Sequence, residues 1–205
     1  MISLAASVRN RLRYIVSYLR ERSRGLDFTL PDRMYDRRRH DGAMYYATAP
    51  EVLADLFACV DSARYDRFLD VGCGKGFVLK AAAEQGFRAV GGIEYDEKLA
   101  AICRRNMARL GLDGRVRVIR GNAADFRGYG GYNCFYFFNP FRPEIMAAVV
   151  DAICRQCRGR DVLLIYYHPR YTEAIEEAGC FRLMRVLRDP ARDYDVFIYQ
   201  GVIPA

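Results

Sequence analysis

The chain has 205 residues, 52% of them apolar, and a formal net charge of +7. That suffices for one cored domain carrying an arm, and it excludes a disordered chain. No run of about 18 apolar residues offers a membrane span. Residues 1–25 lack the basic-then-apolar order and cleavage site of a secretory leader, so a cytoplasmic protein is expected.

The charge is uneven. Residues 1–42 hold ten arginines and five acids, net +5, which leaves +2 for the other 163 residues. A basic arm of this kind suits phosphate, anionic lipid or an acidic protein, so an acidic partner for the arm is expected. The plain alternative is an Arg-rich solvated helix face. Seven cysteines, odd in number and dispersed, argue against a disulfide framework. Cys154 and Cys157 stand in a helical pattern with Ile145, Val149 and Ile153. With only two histidines and no second Cys pair, they read as structural, and no metal site is expected.

In chain order, apolar positions at Leu4, Val8, Leu12, Ile15, Val16 and Leu19 predict an amphipathic helix over 4–22. A Gly-, Pro- and charge-rich stretch to residue 42 reads as a linker, which divides the chain into an arm, 1–42, and a domain, 43–205. Pro50 suits the first turn of a helix through "PEVLADLFACV". From residue 66, strands alternate with helices: "RFLDVG", a helix stopped by Gly86, "RAVGGIEYD", a helix stopped by Gly111, then "RVRVIRGNA". "YNCFYFFNP", the helix from Pro143, "DVLLIYYHP", a short helix from Tyr171 and two closing strands follow. The alternation predicts a three-layer, doubly wound, mostly parallel seven-stranded α/β sheet. Only "DPARD" joins the last two strands, too short for a parallel crossover, so the last strand must be antiparallel.

The first strand runs into "LDVGCGKGF". Gly72, Gly74 and Gly76 allow tight turns and close approach of a ligand. A dinucleotide fingerprint would need glycine where Phe77 stands, which disfavours a nicotinamide enzyme, and Lys75 is not part of a Walker pattern. Asp70 ahead of the glycines would repel a pyrophosphate and suits a ligand bearing an amine. Glu94 ends the second strand, 24 residues after Asp70, where an acid can accept from ribose hydroxyls.

"LDVGCGKG", "GIEYD" and "GNAADF" resemble the class I (Rossmann-like) S-adenosylmethionine-dependent methyltransferases, over roughly residues 45–200. The resemblance implies S-adenosyl-L-methionine as cofactor. Asp70, Gly72, Gly74 and Gly76 would surround its methionine part, Glu94 its ribose, and Asn122 with the Ala123 backbone amide its adenine. "FFNPF" looks like the Asn-Pro-Pro-Phe/Tyr signature of amino-methylating members, with Phe141 in place of the second proline. More closely, it resembles a group of small bacterial methyltransferase-like proteins. By the likeness to the amino-methylating members, Asn139 and Pro140 would hold an acceptor nitrogen, with Asn139 also bordering the cofactor, and Phe141 would stack on a planar acceptor. "YYATAP" is similar to a lid segment of the same proteins, in which Tyr46 and Thr48 would reach the methionine carboxylate. Thr48 also reads as a plain helix N-cap. Tyr45 and Phe141 are expected to line the acceptor cavity, and His168 to border it as a base or contact.

The expected activity is methyl transfer to a nitrogen of a protein, a small molecule or a nucleic acid. The rival is a nucleic-acid-binding module with a vestigial cofactor site and a working Arg-rich arm. An intact set of glycines with Glu94 and Asn139 favours the first.

Overall fold

The computed structural model describes residues 15–28, 48, 50–138, 141–190 and 192–205. Helix α1 is described over 15–23. After it come α2 (Pro50–Ala58), β1 (Arg67–Val71), α3 (Phe77–Glu84), β2 (Ala89–Glu94), α4 (Glu97–Arg109) and β3 (Val116–Arg120). Two 3-10 turns, Ala123–Asp125 and Tyr129–Gly131, lead to β4 (Cys134–Phe138). The chain closes with α5 (Pro143–Gln156), β5 (Asp161–Tyr167), α6 (Glu173–Glu177), β6 (Phe181–Asp189) and β7 (Tyr194–Val202).

The strands order as β3-β2-β1-β4-β5-β7-β6 in one seven-stranded sheet. β1 to β5 pair in parallel, and β7 lies antiparallel between β5 and β6. The expected α/β architecture and reversed last strand are therefore present. The alternation along each strand divides the core into two layers. Phe68, Tyr136, Ile165 and Tyr167 face α2, α3 and α4 on one side. Leu69, Phe135, Phe137 and Tyr166 face α5 on the other. Strand order reverses between β1 and β4, and an open parallel sheet offers its ligand crevice at the carboxyl edge of such a switch point.

The start of the stretch that reads as a linker is packed. Leu26 and Phe28 are buried in the first core layer, and Phe28 meets Phe77 edge-on at 5.6 Å between centroids. The Arg109 guanidinium bonds the Gly25 carbonyl. Asn106, fully buried in α4, brackets the strap. Its Oδ1 accepts from the Asp27 amide at 3.1 Å, and its Nδ2 donates to the carbonyls of Asp27 and Lys75 at 2.9 and 3.0 Å. Lys75, 2% exposed in the side chain, pairs with Asp27 at 2.7 Å. The boundary at 42/43 lies outside the described residues.

Asp27→Ala withdraws a carboxylate from a buried ammonium. The expected loss of stability lies at or below the low end of the about 3–5 kcal/mol for breaking a fully buried pair. Asp27 keeps 20% of its side chain in solvent, which reduces the effect. Urea unfolding checks it: a midpoint equal to wild type would show that the strap rests on the core without supporting it.

All seven cysteines are free. Cys154 and Cys157 turn to different neighbours, the Cys180 thiol at 3.2 Å and the Tyr129 carbonyl at 3.7 Å. Their shared motif does not form a shared site. Among the described residues no helix is long and apolar enough to cross a membrane.

Candidate active site

The glycine loop leaves β1 and turns back over β2. The amides of Gly72 and Cys73 both donate to the Ile93 carbonyl at 2.9 Å. Gly72, Gly74 and Gly76 have φ of 95°, 53° and 87°, the left-handed region that only glycine enters freely. At Gly76 a side chain would also collide with Cys103, whose Sγ lies 2.5 Å from an ideal Cβ position. The loop therefore needs glycine for its path and for its packing on α4.

Glu94 ties this loop to the next one. Its Oε2 accepts from the Gly74 amide at 2.8 Å and its Oε1 from the Asp96 amide at 2.8 Å. Each carboxylate oxygen has a second lone pair, so both can still accept from neighbouring hydroxyls. Burial raises the Glu94 carboxyl above the ordinary range, and the amides of Asp96, Gly74 and Tyr95 pull it back toward the ionised form.

Asp70 differs. It is 3% exposed, on the same face of β1 as Phe68 and opposite Tyr136 in the β1–β4 register. Among the described residues no hydrogen-bond donor or cation meets its carboxylate. Burial, and then the charge of Glu94, push its pKa well above the ordinary range. A carboxylate at 3% residue exposure with no described donor, behind a loop of left-handed glycines, has the chemistry that suits a cation.

The sign of the pH effect follows. Asp70 in the folded protein holds its proton to higher pH than in the unfolded chain. Stability from this group therefore falls as pH rises from the ordinary Asp value through the raised folded one. Asp70→Asn removes that penalty. It is expected to stabilise the ligand-free protein at neutral pH, because the charge that burial and Glu94 disfavour is gone, while removing affinity for a cationic ligand. The difference should vanish at pH below the ordinary Asp value. Thermal unfolding against pH tests this, and a mutant less stable than wild type at neutral pH would show that the carboxylate is answered.

The other candidate positions are differently placed. Asn122 caps the 3-10 turn after β3. Its side-chain oxygen accepts from the Ala124 amide at 3.1 Å and its amide donates to Asp125 at 2.9 Å. Ala123 beside it is buried, and its carbonyl accepts from the Tyr129 hydroxyl at 2.8 Å. The Thr48 hydroxyl is buried against the Tyr136 hydroxyl at 2.8 Å, on the Asp70 face of β4. Phe141 is half-buried beside α5. Tyr45, Tyr46, Asn139 and Pro140 lie outside the described residues.

The carboxyl ends of β4 and β5 adjoin, with Phe138 opposite Tyr167. Behind them the Tyr167 hydroxyl donates to the buried Asp189 carboxylate. Arg192 stands 6.0 Å over the Phe138 ring. His168, next after β5, holds φ 54°, a left-handed conformation unusual for a side-chain-bearing residue. Its ring stacks on Tyr194 at 3.7 Å and its Nε2 accepts from Arg170 at 3.1 Å. Burial and the Arg170 charge lower its pKa, so it stays neutral around pH 7. Motif reading did not single out Asn106, Asp27 or Tyr136. For Asn106 the signal was available: an amide on the apolar face of α4 between Cys103 and Met107.

The seven-stranded sheet with its antiparallel β7 has a Rossmann-like α/β architecture, shared with solved methyltransferases. Residues 68–159 match the methyltransferase-domain family. The probable cobalt-precorrin-6B C(15)-methyltransferase (decarboxylating) of Pyrobaculum calidifontis is 28% identical over 156 residues, 73% of this chain and 77% of that protein. An RNA methyltransferase from Salinibacter ruber, solved in complex with S-adenosyl-L-homocysteine, superposes with a TM-score of 0.60 at 17% identity. The match covers 78% of this chain and 94% of that one. StiE O-MT superposes at 0.57 and 16% identity, covering 74% and 73%. At these identities the structural likeness is one of fold.

Proposed function

We propose that this protein is an S-adenosylmethionine-dependent methyltransferase acting on a nitrogen. The observation that carries the cofactor is Asp70, buried and without a described donor, behind three left-handed glycines, of which Gly74 is pinned to Glu94. The match of residues 68–159 to a methyltransferase domain supports it. The residues present fit the cofactor: a carboxylate for its amine, free carboxylate lone pairs for its ribose hydroxyls, and a glycine path for close approach.

Bound S-adenosylmethionine supplies a methyl group already activated on a cationic sulfur. Asp70 would accept from the methionine ammonium. Glu94, which holds Gly74 in place, would receive the ribose hydroxyls. Asn122 and Ala123 would border the adenine, and Tyr46 and Thr48 would reach the methionine carboxylate. Asn139 and Pro140, which follow β4 in sequence, present acceptor oxygens to the substrate amine and aim its lone pair, and Phe141 packs on a planar acceptor. Positioning of this kind is worth on the order of 7–11 kcal/mol in a two-reactant step. A neutral amine needs no strong base before attack, in keeping with a His168 held neutral. The acceptor belongs to a protein, a small molecule or a nucleic acid.

Methyl-labelled cofactor added to a cell lysate, followed by separation into protein, nucleic-acid and small-molecule fractions, identifies the class. Label recovered on nitrogen supports the reading. Label recovered only on carbon or oxygen would overturn the nitrogen assignment and keep the cofactor.

A further inference from the structure

We propose that α1 is an interfacial helix that seats the protein on an anionic lipid bilayer. Ile15, Val16 and Leu19 are 50%, 55% and 59% exposed, on one side of the helix. Large apolar side chains grouped on one exposed face mark an interaction surface. In the sequence the same spacing continues back through Leu12, Val8 and Leu4.

The charge around the stripe is of one sign. Arg20 and Arg22 are exposed beside it, and Arg9, Arg11 and Arg13 precede it in sequence. Glu21 is the only acid before residue 27, and it is turned inward, accepting from the Phe28 amide at 3.0 Å. Among the described residues the outer side of α1 therefore presents apolar side chains edged by guanidinium groups with no carboxylate between them. That composition matches a helix lying at the boundary of headgroups and acyl chains, apolar side down and arginines reaching to phosphate. A nucleic acid would engage the arginines and leave Ile15, Val16 and Leu19 in water. An anionic bilayer takes both. The strap at 25–28 is fastened to α4 and to Lys75 of the glycine loop, so a seated α1 brings the domain with it. The inference stands apart from the identity of the methyl acceptor.

Co-sedimentation of the full chain with vesicles tests it, using phosphatidylcholine alone and phosphatidylcholine mixed with phosphatidylglycerol. Binding is expected to the mixed vesicles and to weaken with salt. Leu19→Glu should reduce it roughly tenfold or more, the scale of withdrawing one large apolar side chain from burial. Arg20→Gln and Arg22→Gln should each cost about fivefold, the ~1 kcal/mol of a basic side chain near an anionic surface. Leu19 is exposed, so the variant should keep the wild-type unfolding curve. Absence of binding to the mixed vesicles, or binding that Leu19→Glu leaves unchanged, would overturn the proposal. So would a dimer in sedimentation velocity that Leu19→Glu dissociates, since a second copy would then cover the stripe. Single-stranded RNA bound equally by wild type and Leu19→Glu, with no vesicle binding, would assign the arm to nucleic acid instead.

Discussion

Asn139→Ala is expected to lower turnover roughly 100- to 1000-fold and to leave cofactor affinity near wild type. In the proposed site the cofactor would be held by the loops after β1, β2 and β3, through Asp70, the glycines, Glu94 and the turn at Asn122. Asn139 would act on the other reactant. An oxygen that orients the acceptor amine contributes in the transition state and little to cofactor binding. Loss of one positioned polar contact costs about 2.7–4 kcal/mol where oxyanion-hole donors have been removed, and the same scale is taken here for an acceptor. Turnover is read as methyl transfer into the responsive lysate fraction, with cofactor titration in parallel. Near-full turnover in the mutant would make Asn139 a turn former. Loss of cofactor binding would move it to the methionine end of the pocket and remove the support for a nitrogen acceptor.

Glu94→Ala should weaken S-adenosylmethionine by roughly 100-fold or more. Two charge-assisted contacts to ribose hydroxyls are lost, each worth about 1.5–3 kcal/mol. The same carboxylate also accepts from the Gly74 and Asp96 amides, so alanine loosens the glycine loop as well. Glu94→Gln separates the two effects. It keeps one acceptor oxygen and the side chain's size but loses the charge and one acceptor. Its affinity should fall between wild type and Glu94→Ala, with an unfolding midpoint close to wild type. A loss of less than threefold in Glu94→Ala would remove Glu94 from the ribose.

The fold was legible because its signals are periodic or topological. Strand and helix alternation from Arg67 onward predicts the parallel sheet. The short "DPARD" link forces the antiparallel last strand, and β7 does pair that way with β5 and β6. The strap was not legible. Asp27 sits among glycine, proline and charge, and no local pattern tells a solvated acid from one that pairs with Lys75 across 48 residues. Lys75 in turn reads as a loop cation, and only its burial against Asp27 and Asn106 reveals a structural use. Asp70 shows the opposite case. Its position before the glycines pointed to a cationic ligand, and the structure adds that no described donor answers it. Thr48 was read as a lid or cap residue, yet its hydroxyl meets Tyr136, a partner 88 residues away that strand pairing brings into reach. Asn122 has the polar side chain expected at that strand end, and in the structure this side chain caps the following turn.

The cofactor site is the central claim, and calorimetric titration of the full chain tests it most directly. S-adenosylmethionine and NAD are titrated separately, and S-adenosylmethionine is repeated at several pH values in buffers of different ionisation enthalpy. The account predicts micromolar S-adenosylmethionine binding, about 8 kcal/mol, and no NAD binding. Because the ammonium pairs with the ionised form of Asp70, affinity should rise as pH increases through the raised Asp70 value. Binding within that window should release a proton. NAD binding more tightly than S-adenosylmethionine, or no binding of S-adenosylmethionine at millimolar concentration, would contradict it.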